Sequence, residues 1–231
     1  MRPGVAIRRR PWGAAYSEQV VSRIHPGRPP ATEGDSPRDV TTFDDALEAL
    51  RTATMRPELI IEEVPAPTRL APHAVALAGE VVPGHDTGRV DPPDPIGVGR
   101  FVLLFDPAGP EPWEGQWRAV TYAKTTMEPE VGGDPLAGEV GWSWLTEALQ
   151  ARDLAWSAEA GTVTSVSSQS FGALSEREPV VELEIRASWT PEVTEAAHLD
   201  GHVQAWGDLL CTLAGLPPLP EGVVALPGMR R

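Results

Sequence analysis

The sequence predicts an α+β domain, a mainly antiparallel sheet of about six strands with three helices packed on one face. Three observations lead there. Segments with the period-two alternation of strands recur along the chain, and three stretches carry the three- and four-residue apolar spacing of helices. Few intervals between successive strands could hold the crossover helix that parallel pairing requires. The order read from the chain is helix, four strands, helix, two strands, helix.

Residues 1–40 carry Pro3, Pro11, Pro26, Pro29, Pro30 and Pro37 among scattered Arg and Gly, with no apolar periodicity. Such a composition buries too little surface to offset its ordering entropy. These residues are expected to form a disordered leader, and residues 41–231 a single α+β domain. Arg8, Arg9 and Arg10 could act as an anion-binding arm, although a solvated tail explains them as well.

At Thr41 and Thr42 the chain offers helix caps with Asp44 and Asp45 three residues on, near the capping-box pattern. Phe43, Ala46, Leu47 and Leu50 then predict a helix over about 43–54, closed by Arg51, Arg56 and Pro57. Leu59–Val64 is β-branched and stops at Pro65, giving a first strand. Val75, Leu77, Gly79 and Val81 alternate with smaller or polar residues, giving a second. The Pro-, Gly- and Asp-rich stretch from Pro83 to Gly99 reads as a long loop. Arg100–Phe105 has no polar residue after its arginine and suits a central strand covered on both faces. Trp117–Lys124 alternates again, and the two are expected to pair as a hairpin around the ten-residue DPAGPEPWEG loop.

The strongest amphipathic signal is Glu139–Trp156, where Val140, Trp144, Leu145, Ala148 and Leu149 share one side. Trp144 is expected to be its largest contribution to the core. Ala158–Phe171 favours extended chain with a bulge or bend near Val166, where alternation breaks. Val180–Trp189 has one dry face (Val181, Leu183, Ile185, Ala187, Trp189) and one charged face. From Thr194 a last helix carries Leu199, Val203, Trp206, Leu210 and Leu213, ending at Gly215 before Pro217 and Pro218.

Charge and cysteine usage exclude several function classes. The net charge is −14, and because residues 1–40 are +3 (seven Arg against four acidic residues), the remainder carries −17. An acidic body opposes the phosphate-driven binding of nucleic acid, so direct nucleic-acid binding is not expected. The lone Cys211 cannot form an intramolecular disulfide. There is no signal-peptide apolar run and no apolar stretch long enough to span a membrane, so the expected location is the cytoplasm, without membrane attachment.

The motifs TFDDALEALRTATMRPELIIEEVPAPTRLAPHAVAL, FVLLFDPAGPEPWEGQWRAVTYA, EVGWSWLTEAL, VELEIRASW and LLCTLAGLPPLP, over roughly residues 41–228, resemble an actinobacterial family of uncharacterised proteins, domain of unknown function three thousand. The resemblance implies a bacterial cytosolic protein and brings no activity, ligand or catalytic residue with it.

No catalytic constellation is expected from the residues. His198 and His202 stand four apart on the last helix, half a metal site, but the glutamate of a zinc-protease helix is missing and a third ligand is not evident. No metal or cofactor is therefore expected. The serines from Ser165 to Ser170 lack a nucleophile elbow, and Cys211 lies among leucines, where a thiol is inert. Glu62 and Glu63 point to opposite faces of a strand, so only one could line a site, while Glu182, Glu184 and Arg186 share a charged face.

Two functions remain in view. The first is a non-catalytic protein-interaction or regulatory module with a protein partner, in which Trp113, a tryptophan in a proline-rich loop, is either a binding anchor or folds back onto Trp117 or Tyr122. The second is a small-molecule binder or enzyme whose site gathers Arg118, Tyr122, Glu184 and Arg186 on the open face of the sheet. A pocket of convergent Arg, Glu and Tyr would favour the second.

Overall fold

The computed structural model describes residues 37–84, 93–132, 134–216 and 218. Helix α1 spans Pro37–Thr52 and is followed by strands β1 (Leu59–Val64), β2 (His73–Val81), β3 (Gly97–Phe105) and β4 (Trp117–Met127). Helix α2 (Ala137–Gln150) leads into β5 (Trp156–Ser168) and β6 (Val180–Pro191), and helix α3 (Asp200–Leu213) follows. All six strands join one sheet in the order β1-β2-β3-β4-β6-β5, each neighbouring pair antiparallel. The expected architecture of three helices and a six-stranded antiparallel sheet is therefore the one observed.

Strand parity divides the side chains into two clusters. Leu59, Ile61, Val75, Leu77, Phe101, Leu103, Leu183, Ile185 and Trp189 face the helices, meeting Phe43 and Leu50 of α1, Leu145 and Leu149 of α2, and Val203, Trp206 and Leu210 of α3. On the opposite face a smaller cluster of Val64, Ala71, Ala76, Val102, Leu104, Trp113 and Val120 lies under the loops that follow β1 and β3. The central strand β3 is thus covered on both sides, as its apolar run predicts. Gly79 and Gly99, paired across β2 and β3, let α3 approach closely: an added Cβ would stand 2.8 Å from Trp206 at Gly79 and 2.4 Å from Leu210 at Gly99.

Several expectations are corrected. Helix α1 begins at Pro37 rather than near residue 43, which a proline in the first turn permits because the N–H it lacks has no intrahelical partner there. Residues 1–36, which hold most of the expected leader, and residues 85–92 of the long loop lie outside the described residues. Helix α2 stops at Gln150, and Trp156 opens β5 instead of closing the helix. Its buried stripe is Gly141, Leu145, Ala148 and Leu149. Trp144 is only half-buried at its margin and Val140 is exposed, since the side turned to the sheet is the one that carries Gly141, where an added Cβ would stand 3.1 Å from Val163 and 3.5 Å from Leu183. The irregularity in β5 falls between Ser157 and Ala160, not at Val166, which pairs regularly with Glu182. Ala158 there has a positive φ of 49°, the backbone of a bulge.

Candidate functional site

On the face of the sheet away from the helices, alternate residues of adjacent strands line up in lateral rows. One row runs Glu62, Ala78, Arg100, Tyr122, Arg186 and Thr162, and the next runs Ile60, Glu80, Val98, Lys124, Glu184 and Thr164. Further along the strands the rows turn apolar and pass beneath the Trp113 loop. One end of the open face is therefore dry and covered, and the other is charged and forms a groove among the described residues.

The charged end contains a groove of about 420 Å³, lined by Ile60, Glu62, Glu80, Ile96, Arg100, Tyr122 and Lys124 together with backbone of β2 and β3. Its cations are held in distinct ways. Lys124 Nζ meets Glu182 Oε1 at 2.7 Å. Arg186 pairs with Glu184 and lies over the Tyr122 ring, 5.5 Å from its centroid, within the range of cation–π attraction. Arg100 Nη2 donates to the Pro65 carbonyl at 2.9 Å, while its Nε is buried with no hydrogen-bond partner among the described residues.

Arg100 is pushed below the ordinary arginine range by burial alone. Arg56 shows the contrast: burial pulls it down too, but its hydrogen bond with Glu58 and the Coulombic attraction of Cys211, Glu58 and Asp208 together outweigh that and the net shift is upward. A guanidinium that loses water without gaining a carboxylate retains unused donors suited to an anion. Glu62 and Glu80 place carboxylates along the β1–β2 side of the same groove. Glu63, on the other face, pairs with Arg51 of α1 at 3.1 Å, so only Glu62 of the two neighbouring glutamates reaches the groove, as the alternation requires. Among the described residues the lining includes no histidine or cysteine; its polar groups are the side chains of Glu62, Glu80, Arg100, Tyr122 and Lys124 with Thr125 and Thr126.

Of the residues singled out from sequence, Tyr122, Glu184 and Arg186 are brought together beside this groove. Arg118 and Trp113 are not. Arg118 lies four residues along β4 from Tyr122 and is buried, donating to the Ala158 carbonyl at 2.8 Å, Thr190 Oγ1 at 3.1 Å and Ser188 Oγ at 2.8 Å. Burial pushes it down, with Glu114 and Glu159 offsetting only part of that shift. Its partners tie β4 to the β5 bulge, which is a structural task. Trp113 is 6% exposed; its carbonyl accepts from Thr190 Oγ1, and its ring joins Val102, Leu104 and Val120. The tryptophan thus folds back onto the open face of the sheet, while Trp117 belongs to the cluster on the helical face.

Sequence reasoning missed Arg100 and Lys124. A long hairpin loop does not specify register, so nothing local shows that Arg100 lies opposite Tyr122. His198 is exposed, whereas His202 is buried and accepts the Trp189 indole N–H at Nδ1, 3.2 Å away. The pair does not converge, and no group of three or more His, Cys, Asp or Glu able to hold a metal occurs among the described residues. No helix among them is long and apolar enough to cross a membrane.

The fold and this face define an α+β domain built on a single antiparallel sheet, helices on one side and a charged groove on the other. The chain belongs to the family described as Protein of unknown function (DUF3000), whose pattern matches residues 39–224 and so takes in every strand of the sheet. No curated protein and no solved structure matches it.

Proposed function

We propose that this protein is a non-catalytic binding domain whose ligand is a small molecule carrying a carboxylate or phosphate group, held in the open-face groove. The observation that carries the reading is Arg100, a partly buried guanidinium without a carboxylate partner, facing an accessible groove of ligand size. Arg100 and Lys124 would take the anionic group, and Tyr122, kept in place by Arg186 and Glu184, would present its ring to the ligand's body. Glu62 and Glu80 select against anions at the other side and favour a hydroxyl or cationic substituent there. Bacterial, actinobacterial origin and a cytoplasmic location belong to the same reading. The origin rests on the motif resemblance described above, and the location on that resemblance together with a single cysteine that has no partner for an intramolecular disulfide.

The test is a thermal-shift series with acetate, succinate, inorganic phosphate and pyrophosphate on the full chain and on Arg100→Gln. Ligand at about 100 times its Kd stabilises the folded state by about 2.7 kcal/mol, a readily visible rise in Tm. A rise in the wild type that disappears in the variant is expected. No rise with any of the four anions, or an equal rise in both proteins, rejects the reading. A regulatory or protein-interaction role has separate support in the outer edge of β5.

A further inference from the structure

β5 is an edge strand of thirteen residues, more than twice the six of β1 at the other edge. Long edges invite pairing with another strand, and proteins ordinarily blunt them with Lys, Pro, bulges or brevity. β1 is blunted by its shortness and by Glu62 and Glu63. β5 has its bulge at one end only, and from Ala160 to Ser168 it pairs with β6 in unbroken register without a single charge or proline. Nearly all of that segment is exposed.

Exposed apolar side chains gather at the same corner. Seven large hydrophobic residues are exposed among the described residues, and six of them, Leu136, Val140, Val166, Phe171, Leu174 and Val180, belong to β5, its connection to β6, the first residue of β6, or the start of α2. That end of α2 packs on β5, with Gly141 against Val163. Apolar groups bordering an edge that no described strand pairs mark an interaction surface.

We propose that this edge is where two copies of the chain meet, β5 pairing antiparallel with β5 of a second copy to continue the sheet across the interface. Charge argues for a second copy here and against one elsewhere: the chain carries −14, so two copies repel over most of their surface, and Ala160–Ser168 is a long stretch free of that penalty. Geometry agrees. A two-fold axis through Thr164, the midpoint of the segment, pairs all nine residues. It sets Thr164 opposite itself, Thr162 opposite Val166 and Ala160 opposite Ser168 on the open face, and Val163 opposite Ser165 on the helical face. Like faces then meet like faces, and the exposed Leu136 and Val140 at the starts of the two α2 helices approach each other. The chain's own C-terminal residues are a weaker fit, because Pro220 and Pro227 bracket only six residues able to pair.

Light scattering on the full chain decides between these occupants. Dimerisation gives a mass twice the 24.8 kDa of one chain, and Val166→Lys raises the dissociation constant about tenfold or more (1.4 kcal/mol or more) with an unchanged dilute-solution Tm. Thr164→Cys gives a second measurement. Residues opposed across an antiparallel pair have Cα atoms about 4.5–5.5 Å apart, within disulfide reach, so mild oxidation yields a covalent dimer, whereas Gln150→Cys does not. Cys211 stays silent, since it is buried with its thiol pushed up to about 12. A wild type that remains monomeric up to high micromolar concentration overturns the proposal. So does a monomer that dimerises only after residues 219–231 are removed, since the edge is then occupied in cis. Neither outcome bears on the groove.

Discussion

His202 is neutral in the folded protein because burial holds its pKa down at about 4, and its Nδ1 lone pair is engaged by Trp189. An unfolded histidine titrates near 6.5, so between these values the unfolded chain binds the extra proton. The contribution to stability is complete above about pH 6.5 and is lost as pH falls toward 4. Between pH 7 and 5 the loss amounts to about 2 kcal/mol. Denaturant melts at the two pH values are expected to show a difference that shrinks by about this amount in His202→Gln, and an equal difference in both proteins would assign the effect elsewhere. The nearby Trp206 indole N–H is also buried with no partner among the described residues, so this part of the core contains more polarity than its leucine-rich sequence suggests.

At the scale of elements, the seating of α3 depends on the absence of two side chains. Gly79 and Gly99 stand opposite each other in register and accept Trp206 and Leu210 at distances no Cβ tolerates. Gly99→Ala is expected to cost about 1–3 kcal/mol through overpacking, because the nearest obstacles include the Tyr122 carbonyl oxygen at 3.0 Å, which is backbone and cannot swing aside. Chemical denaturation reads this directly, and a wild-type midpoint would mean that α3 shifts freely on the sheet. The change would also test how firmly the groove is held, since Tyr122 and Gly99 both line it. The Trp113 loop is fastened by a relay from Arg118 to Thr190 to the Trp113 carbonyl, which accounts for an arginine with no carboxylate partner at that position.

For the molecule as a whole, both apolar clusters draw on the same strands, one on each face of β1 to β4. Neither can come apart without breaking ladders that the other needs, so residues 37–216 are expected to unfold in one transition. Tryptophan fluorescence, which includes Trp113 in one cluster and Trp117, Trp189 and Trp206 in the other, and far-UV circular dichroism should give coincident curves. Separate midpoints would divide the chain into two units. Removal of residues 1–36 is expected to change Tm by less than about 5 °C, and a larger fall would show that the leader docks on the domain.

The sequence by itself determined the kind and order of the main strands and helices, though not all of their ends, and which residues share a strand face. Arg118, Val120, Tyr122 and Lys124 were legible as one face of β4, and Glu182, Glu184 and Arg186 as one face of β6, because period-two alternation is a local property of the backbone. Only the tertiary structure decided which strands lie side by side. That β4 pairs with β6 across the intervening helix and β5 places Arg186 against Tyr122 and Lys124 near Glu182, and long connections leave such pairings open to the sequence reader. The rotation of α2 was settled in the same way. Its apolar stripe admits more than one angle, and packing on the sheet fixed the one that turns Gly141, Leu145, Ala148 and Leu149 inward and leaves Trp144 half-buried. The groove is the product of these non-local choices: its charges come from four strands, and the register that brings them together is fixed by packing on the far side of the sheet.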